Sequence, residues 1–323
     1  MMKELTIEQI AEVLRSEDNI IILMHKSPDG DAVGSAYGLC LALRAIGKRA
    51  EPLCGDEIPR DYEFITEKFE HQEFDPSFVV SVDLATIQLL SGRAAEFADR
   101  VDLCIDHHAS NTGYAKEGYV DGKKASCAEI VMDVIKALSS GFSKEIADAL
   151  FTGICTDTGC FKYSSVSPST HRAAAELMEY GADSTGICRR IFDTKSKEKL
   201  AMEKMVMETI KYYAGGRIAL VCITNEIMEK SGAVQGDTDG IAAMPRQIEG
   251  VKIGVTLKEK ENGEYRFSVR TGELIDASEI CRKFGGGGHW AAAGCSIYAD
   301  FETARDKMIE ACKEALKEHG WTE

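Results

Sequence analysis

At 323 residues the chain is long enough for two domains, and 44% hydrophobic residues with only 6 prolines read as globular. Thirty-eight basic residues against fifty-three acidic ones give a net charge of −15, a poor electrostatic platform for long DNA or RNA. No stretch reaches the roughly 18 to 20 apolar residues of a membrane span, and the first residues lack the apolar segment of a signal peptide, so a cytoplasmic location with no membrane partner is expected.

Thr6-Ile-Glu-Gln9 is a capping-box pattern that opens an amphipathic helix. An apolar strand over 19–24 follows, then a short polar loop, then a helix from about 31 to 46 that Gly47 terminates. Strands are expected over 78–83 and 101–105, separated by a helical pattern over 86–98. Helical patterns continue over 126–138, 143–155 and 170–180. Strands alternating with helices imply a parallel sheet covered on both faces.

Residues 187–215 are charged and largely helical in period, and read as a connector. Beyond Gly215-Gly216 the texture turns to strands over 217–223, 251–258 and 265–270, then a helix over 277–283, a four-glycine run and a final helix over 301–317. The expected fold is therefore α/β: an N-terminal domain (1–186) with a parallel sheet flanked by helices, a helical connector (187–215), and a smaller C-terminal α+β domain (216–323).

Chemistry concentrates at strand ends. His25-Lys-Ser-Pro-Asp29-Gly-Asp31 and Asp106-His107-His108 each follow an apolar run, and Asp83 ends the strand between them. In an open α/β sheet the carboxyl ends of strands converge, so these groups can meet, with Gly30 permitting a tight bend between two loop carboxylates. Asp157, where a polar triplet interrupts an apolar helix, is a further candidate. Four carboxylates and two imidazoles without thiolate favour Mn²⁺, with Mg²⁺, Co²⁺ or Fe²⁺ also suited, and so many carboxylates suit two divalent ions sharing a ligand. The 11 cysteines contain no Cys-x-x-Cys and read as reduced, small apolar residues; Cys155 and Cys160 bracket Asp157 but receive no role. In the second domain Arg270 offers a planar fork to a phosphate. The glycines 285–288 let amides approach an anion, and His289 with the Ala-rich segment after it reads as a helix start.

These segments, in this order, resemble the DHH family of phosphoesterases. His25-x-x-x-Asp29-x-Asp31, Asp83, Asp106-His107-His108 and Thr156-Asp157-Thr158-Gly159 match its four motifs, and Phe267-Ser268-Val269-Arg270 with Gly285-Gly-Gly-Gly288-His289 resemble the DHH-associated domain. The resemblance implies that His25, Asp29 and Asp83 hold one metal and Asp31, Asp83, His107 and Asp157 the second, making Asp83 the bridge. It implies that Asp106 orients a neighbouring imidazole and that His108 faces the substrate phosphate. Ser268, Arg270, Gly286, Gly287, Gly288 and His289 would bind substrate, in a cleft between domains that admits short nucleotides and excludes a duplex. The expected activity is hydrolysis of short oligoribonucleotides to mononucleotides, and of 3'-phosphoadenosine 5'-phosphate to AMP, by two-metal in-line attack of water. A cyclic di-AMP or linear dinucleotide phosphodiesterase, and a non-catalytic nucleotide sensor, are the alternatives; homodimerisation is left open.

Overall fold

The computed structural model describes residues 2–238, 240–272 and 274–321. They form two compact units, Met1–Thr194 and Lys195–Glu323, so the helical stretch that begins at residue 187 divides between them.

The first unit runs β1 (Lys3–Glu4), α1 (Ile7–Ser16), β2 (Ile20–Leu23), α2 (Gly30–Ala45), β3 (Ala50–Leu53), the single turn α3 (Glu63–Thr66), β4 (Phe78–Val82), β5 (Leu103–Asp106), β6 (Glu117–Val120), α4 (Cys127–Leu138), α5 (Lys144–Asp157), α6 (Pro168–Glu179) and α7 (Ser184–Cys188). Its six strands lie in the order β1-β6-β5-β4-β2-β3, and every pair is parallel. Alternate residues leave the sheet on opposite faces. Ile20, Ile22, Val80, Val82, Leu103 and Ile105 face the core under the helices, whereas Ile21, Leu23, Val79 and Cys104 face a second cluster with Leu84, Leu90 and Phe97. Burial on both faces explains why β2 reads as an unbroken apolar run.

The helix expected over 86–98 does not form as an α-helix. The segment is two 3₁₀ stretches, Ile87–Leu89 and Gly92–Arg100, because Gly92 takes a left-handed φ of +48° and packs on the backbone of Gly55. Three strands also escaped the sequence patterns, among them the two-residue β1. β3 carries Pro52 inside it and is an edge strand, the one setting in which a sheet tolerates the missing N–H. β6 is short and half-exposed.

The central helices α2 and α5 meet along a seam of small residues. Gly34 lies so close to the Ala149 carbonyl that a Cβ there would overlap it, and a Cβ on Gly38 would stand 2.9 Å from Leu150. This seam sets the distance between the N-terminus of α2 and the C-terminus of α5.

The second unit contains α8 (Lys197–Glu208), β7 (Lys211–Tyr213), β8 (Ile218–Ile223), α9 (Asn225–Ser231), β9 (Ile253–Glu259), β10 (Glu264–Thr271), α10 (Ala277–Arg282), β11 (Gly287–His289), β12 (Ala292–Tyr298) and α11 (Phe301–Glu318). Its sheet is mixed, in the order β11-β12-β10-β9-β8-β7. One face packs through Leu220, Val255, Phe267, Val269 and Cys295 onto α10 and α11. The helix expected to start at His289 is instead a hairpin. The alternating burial of β12 and its seven-residue register with β10 give that segment a strand's period of two.

Candidate metal centre

Strand order places the site. From β2 the chain crosses through α2 to β3 on one side, while from β4 it proceeds to β5 on the other. The adjacent ends of β2 and β4 therefore form a switch point, where loops diverge and leave a crevice. His25 lies two residues beyond β2, Asp83 immediately follows β4, and Asp106 is the last residue of β5. Asp83 has a left-handed φ of +51°, a conformation aspartate tolerates better than most residues.

Three groups of potential ligands converge here: the triads His25, Asp29 and Asp83, and Asp31, His107 and Asp157, and an overlapping set of Asp83, His107 and His108. His25 Nε2 stands 3.7 Å from Asp29 Oδ1 and 3.7 Å from Asp83 Oδ2. His107 Nε2 stands 3.3 Å from Asp83 Oδ1, 3.2 Å from Asp157 Oδ2 and 3.7 Å from Asp31 Oδ2. The two oxygens of Asp83 thus address different triads. Ligand atoms about 2.1 Å from a shared octahedral cation stand about 3 Å apart, close to these separations.

Each imidazole is oriented from behind by a backbone carbonyl. His25 Nδ1 donates to Lys26 O at 2.8 Å and His107 Nδ1 to Lys124 O at 3.3 Å. A carbonyl only accepts, so Nδ1 carries a proton and Nε2 is the ring atom turned to the carboxylates, the atom a metal would take. Asp29 caps α2, accepting from the Asp31 and Ala32 amides at 3.1 and 3.0 Å. Asp31 is not in the entry loop but in the first turn of α2, fully buried. Its carboxylate accepts from the Cys127 and Ala128 amides at the start of α4, at 2.6 and 2.9 Å, and from Ser35 at 3.2 Å. Gly30 does not serve as a bend: it is helical, and its bare Cα admits Thr156, whose Oγ1 would stand 2.5 Å from a Cβ.

The electrostatics call for cations. Burial, then the neighbouring carboxylate of Asp83, pushes Asp31 up to about 8, and burial with Asp31 and Asp83 pushes Asp157 up to about 9. Burial disfavours charge on His25 and His107, yet the surrounding carboxylates drive them to about 11 and about 10. Burial likewise opposes ionisation of Asp83, but His107 and His25 hold it below the usual carboxylate range. Asp83 Oδ1 is buried with no hydrogen-bond partner among the described residues. Such a crowd of like charges and an orphaned oxygen is stable when divalent cations neutralise it, and the oxygen and nitrogen donors fit a hard or borderline ion.

His108 belongs to a different arrangement. Asp106, fully buried, accepts from His108 Nδ1 at 2.7 Å, from the His107 amide at 2.8 Å and from Asn111 Nδ2 at 2.6 Å. The imidazole that Asp106 orients is therefore that of His108. Its hydrogen bond raises the His108 pKa above the ordinary value, against burial. Asn111, which also donates to Leu84 O at 3.2 Å, has no signal in the sequence beyond following the motif. Replacing Asp106 by Asn should lower kcat about 10- to 100-fold with KM little changed; steady-state kinetics would show this, and an equal rise in KM would contradict a positioning role.

The remaining candidates lie in the second unit. Ser268 and Arg270 share a face of β10, and register aligns Arg270 with Ala292 and His289, and Ser268 with Gly294 and Gly287. Gly288, at φ +148°, and Gly286 are required by close backbone packing on β12, where a Cβ on either would overlap the strand. Their amides are thus not a helix N-terminus.

Residues 19–154 match the DHH family, N-terminal domain, and residues 215–318 match the DHHA1 domain. A Thermus thermophilus protein named bifunctional oligoribonuclease and PAP phosphatase NrnA is 33% identical over 319 residues, covering 97% of this chain and 95% of its own length. A protein of the same name from Bacillus subtilis is 25% identical over 308 residues, covering 94% and 96%. In fold, an exopolyphosphatase-related protein from Bacteroides fragilis superposes with a TM-score of 0.86 at 24% identity over 95% of both chains. RecJ of Thermus thermophilus, solved in complex with Mn²⁺, gives 0.57 at 14% identity over 96% of this chain and 55% of its own. With both domains matched and a relative 33% identical along 97% of its length, the chain belongs to the DHH family of phosphoesterases.

Proposed function

We propose that the chain hydrolyses short oligoribonucleotides to mononucleotides and 3'-phosphoadenosine 5'-phosphate to AMP, using two divalent ions, of which Mn²⁺ suits the donors best. The observation that carries this reading is the division of the Asp83 oxygens between two ligand triads, and the names of the relatives supply the substrate class. His25, Asp29 and Asp83 would hold one ion, and Asp31, Asp83, His107 and Asp157 the other. When bound, such a pair supplies Lewis acidity toward the phosphoryl oxygens and eases deprotonation of the attacking water.

The chain's own groups do the rest. His108, with Nδ1 committed to Asp106, keeps Nε2 for a phosphoryl or leaving oxygen, and its raised pKa favours the protonated ring there. Arg270 and Ser268, with Gly287 and His289 on the same sheet face, offer donors suited to a phosphate. Among the described residues no helix is long and apolar enough to cross a membrane.

Assayed with Mn²⁺ on a diribonucleotide, 3'-phosphoadenosine 5'-phosphate, cyclic di-AMP and pyrophosphate, the enzyme should turn over the first two fastest. Turnover of pyrophosphate alone would overturn the reading. Arg270→Ala should raise KM for the diribonucleotide about tenfold or more while kcat stays near wild type; a loss confined to kcat would remove Arg270 from ground-state binding.

A further inference from the structure

Beside the centre just described lies a cluster of thiols that the phosphoesterase chemistry does not use. Cys155 belongs to the last turns of α5, Cys160 to the turn that follows, and Cys188 ends α7. Cys155 Sγ is 3.5 Å from Cys188 Sγ, and Cys160 Sγ is 3.8 Å from Cys188 Sγ. All three sulfurs lie within 4.8 Å of one another. Three thiolates about 2.3 Å from a shared cation stand about 3.8 to 4.0 Å apart, so the sulfurs already have nearly the spacing of a ligand set.

The backbone is bent to bring them there. Gly159, Cys160 and Phe161 have φ of +55°, +58° and +61°, a left-handed turn that is costly for the two residues with a Cβ. Two amides close it, Cys160 N donating to the Cys155 carbonyl at 2.8 Å and Phe161 N to the Thr158 side-chain Oγ1 at 3.0 Å. This turn swings Cys160 to Cys188, 28 residues away in sequence. Cys155 is buried while Cys160 and Cys188 are partly exposed, which leaves an entry path.

Two uses compete, a disulfide switch and a soft-metal site. A redox-sensing thiol is an exposed thiolate with a depressed pKa. Cys155, half of the closer pair, is instead buried. Three converging sulfurs also exceed what one disulfide needs.

We infer that Cys155, Cys160 and Cys188 form a second metal site, chemically distinct from the carboxylate centre, that binds a thiophilic d¹⁰ cation such as Zn²⁺ through three thiolates with a fourth position open to solvent. Binding releases three thiol protons to solvent and leaves a complex of net charge −1 with a divalent ion. The ion ties the turn after Asp157 to the end of α7.

Cobalt distinguishes this site from the oxygen and nitrogen centre, because only thiolate ligands give an intense near-ultraviolet charge-transfer band. The full chain, loaded first with Mn²⁺, is titrated with Co²⁺. The expected result is a thiolate-to-cobalt band that saturates at one equivalent, is bleached by Zn²⁺, and falls at least about fivefold in Cys188→Ser and Cys160→Ser, with diribonucleotide turnover within about twofold of wild type. No such band in the wild-type protein would overturn the proposal. A band unchanged in both variants would place the ion on other cysteines and overturn it equally.

Discussion

Asp83→Asn is expected to reduce kcat/KM for a diribonucleotide by at least about 10³-fold, the largest effect of any single substitution in this chain. The exchange preserves shape and volume, so packing is not the cause. It removes the negative charge whose two oxygens face His25 and His107, leaving an uncharged amide, 2% exposed, with one oxygen where two faced the triads. Bound Mn²⁺, measured by equilibrium dialysis, should fall from two ions per chain to one or none. A rate within about tenfold of wild type would exclude Asp83 from the chemistry.

The second large effect is structural and has a diagnostic sign. In an exposed helix, replacing Gly by Ala stabilises by about 1 kcal/mol through backbone entropy. At Gly34 the added Cβ meets the Ala149 carbonyl, which belongs to the backbone of α5 and cannot rotate away. Gly34→Ala should therefore destabilise the first unit by about 2 to 3 kcal/mol, lowering its melting temperature by roughly 5 to 10 °C. Separating α2 from α5 also separates Asp31 from Asp157, which sit at the two facing helix ends. A displacement near 1 Å would cost about 10²-fold in rate. Thermal melts and kinetics on the same sample check both halves, and a stabilised variant would refute the seam.

Much of this centre was legible because its residue types are expensive to place anywhere else. His25, Asp83 and Asp106 follow apolar runs, and strand ends in a parallel sheet converge, so their meeting could be argued from the order of elements alone. What holds those residues was not legible. The carbonyls of Lys26 and Lys124 that orient the imidazoles are backbone atoms, and no side-chain pattern announces them. The amides of Cys127 and Ala128 that grip Asp31 come from a helix almost a hundred residues later in the chain. Asn111 is one polar residue in a polar loop.

The errors share a cause as well. Gly30 reads in the sequence as a bend, whereas Gly30, like Gly34 and Gly286, is required by what lies against it. Such demands arise only from tertiary contact. The Ala-rich segment after His289 has good helix propensity, but its pairing with β10 overrides a preference of a few tenths of a kcal/mol per residue. Cys188 was invisible as a partner of Cys155 and Cys160 because nothing in the spacing links α7 to the end of α5.

The edge of the first sheet bears on how the nascent chain acquires its shape. β1 has a single neighbour, β6, with Lys3 aligned to Glu117. The strand β1 must therefore wait, unpaired, while the more than a hundred residues that separate it from β6 are synthesised. Every residue of the two triads is likewise translated before the second unit begins at Lys195. Vectorial synthesis thus favours completion of the phosphoesterase unit first, with its N-terminal segment as the last strand to lock into place.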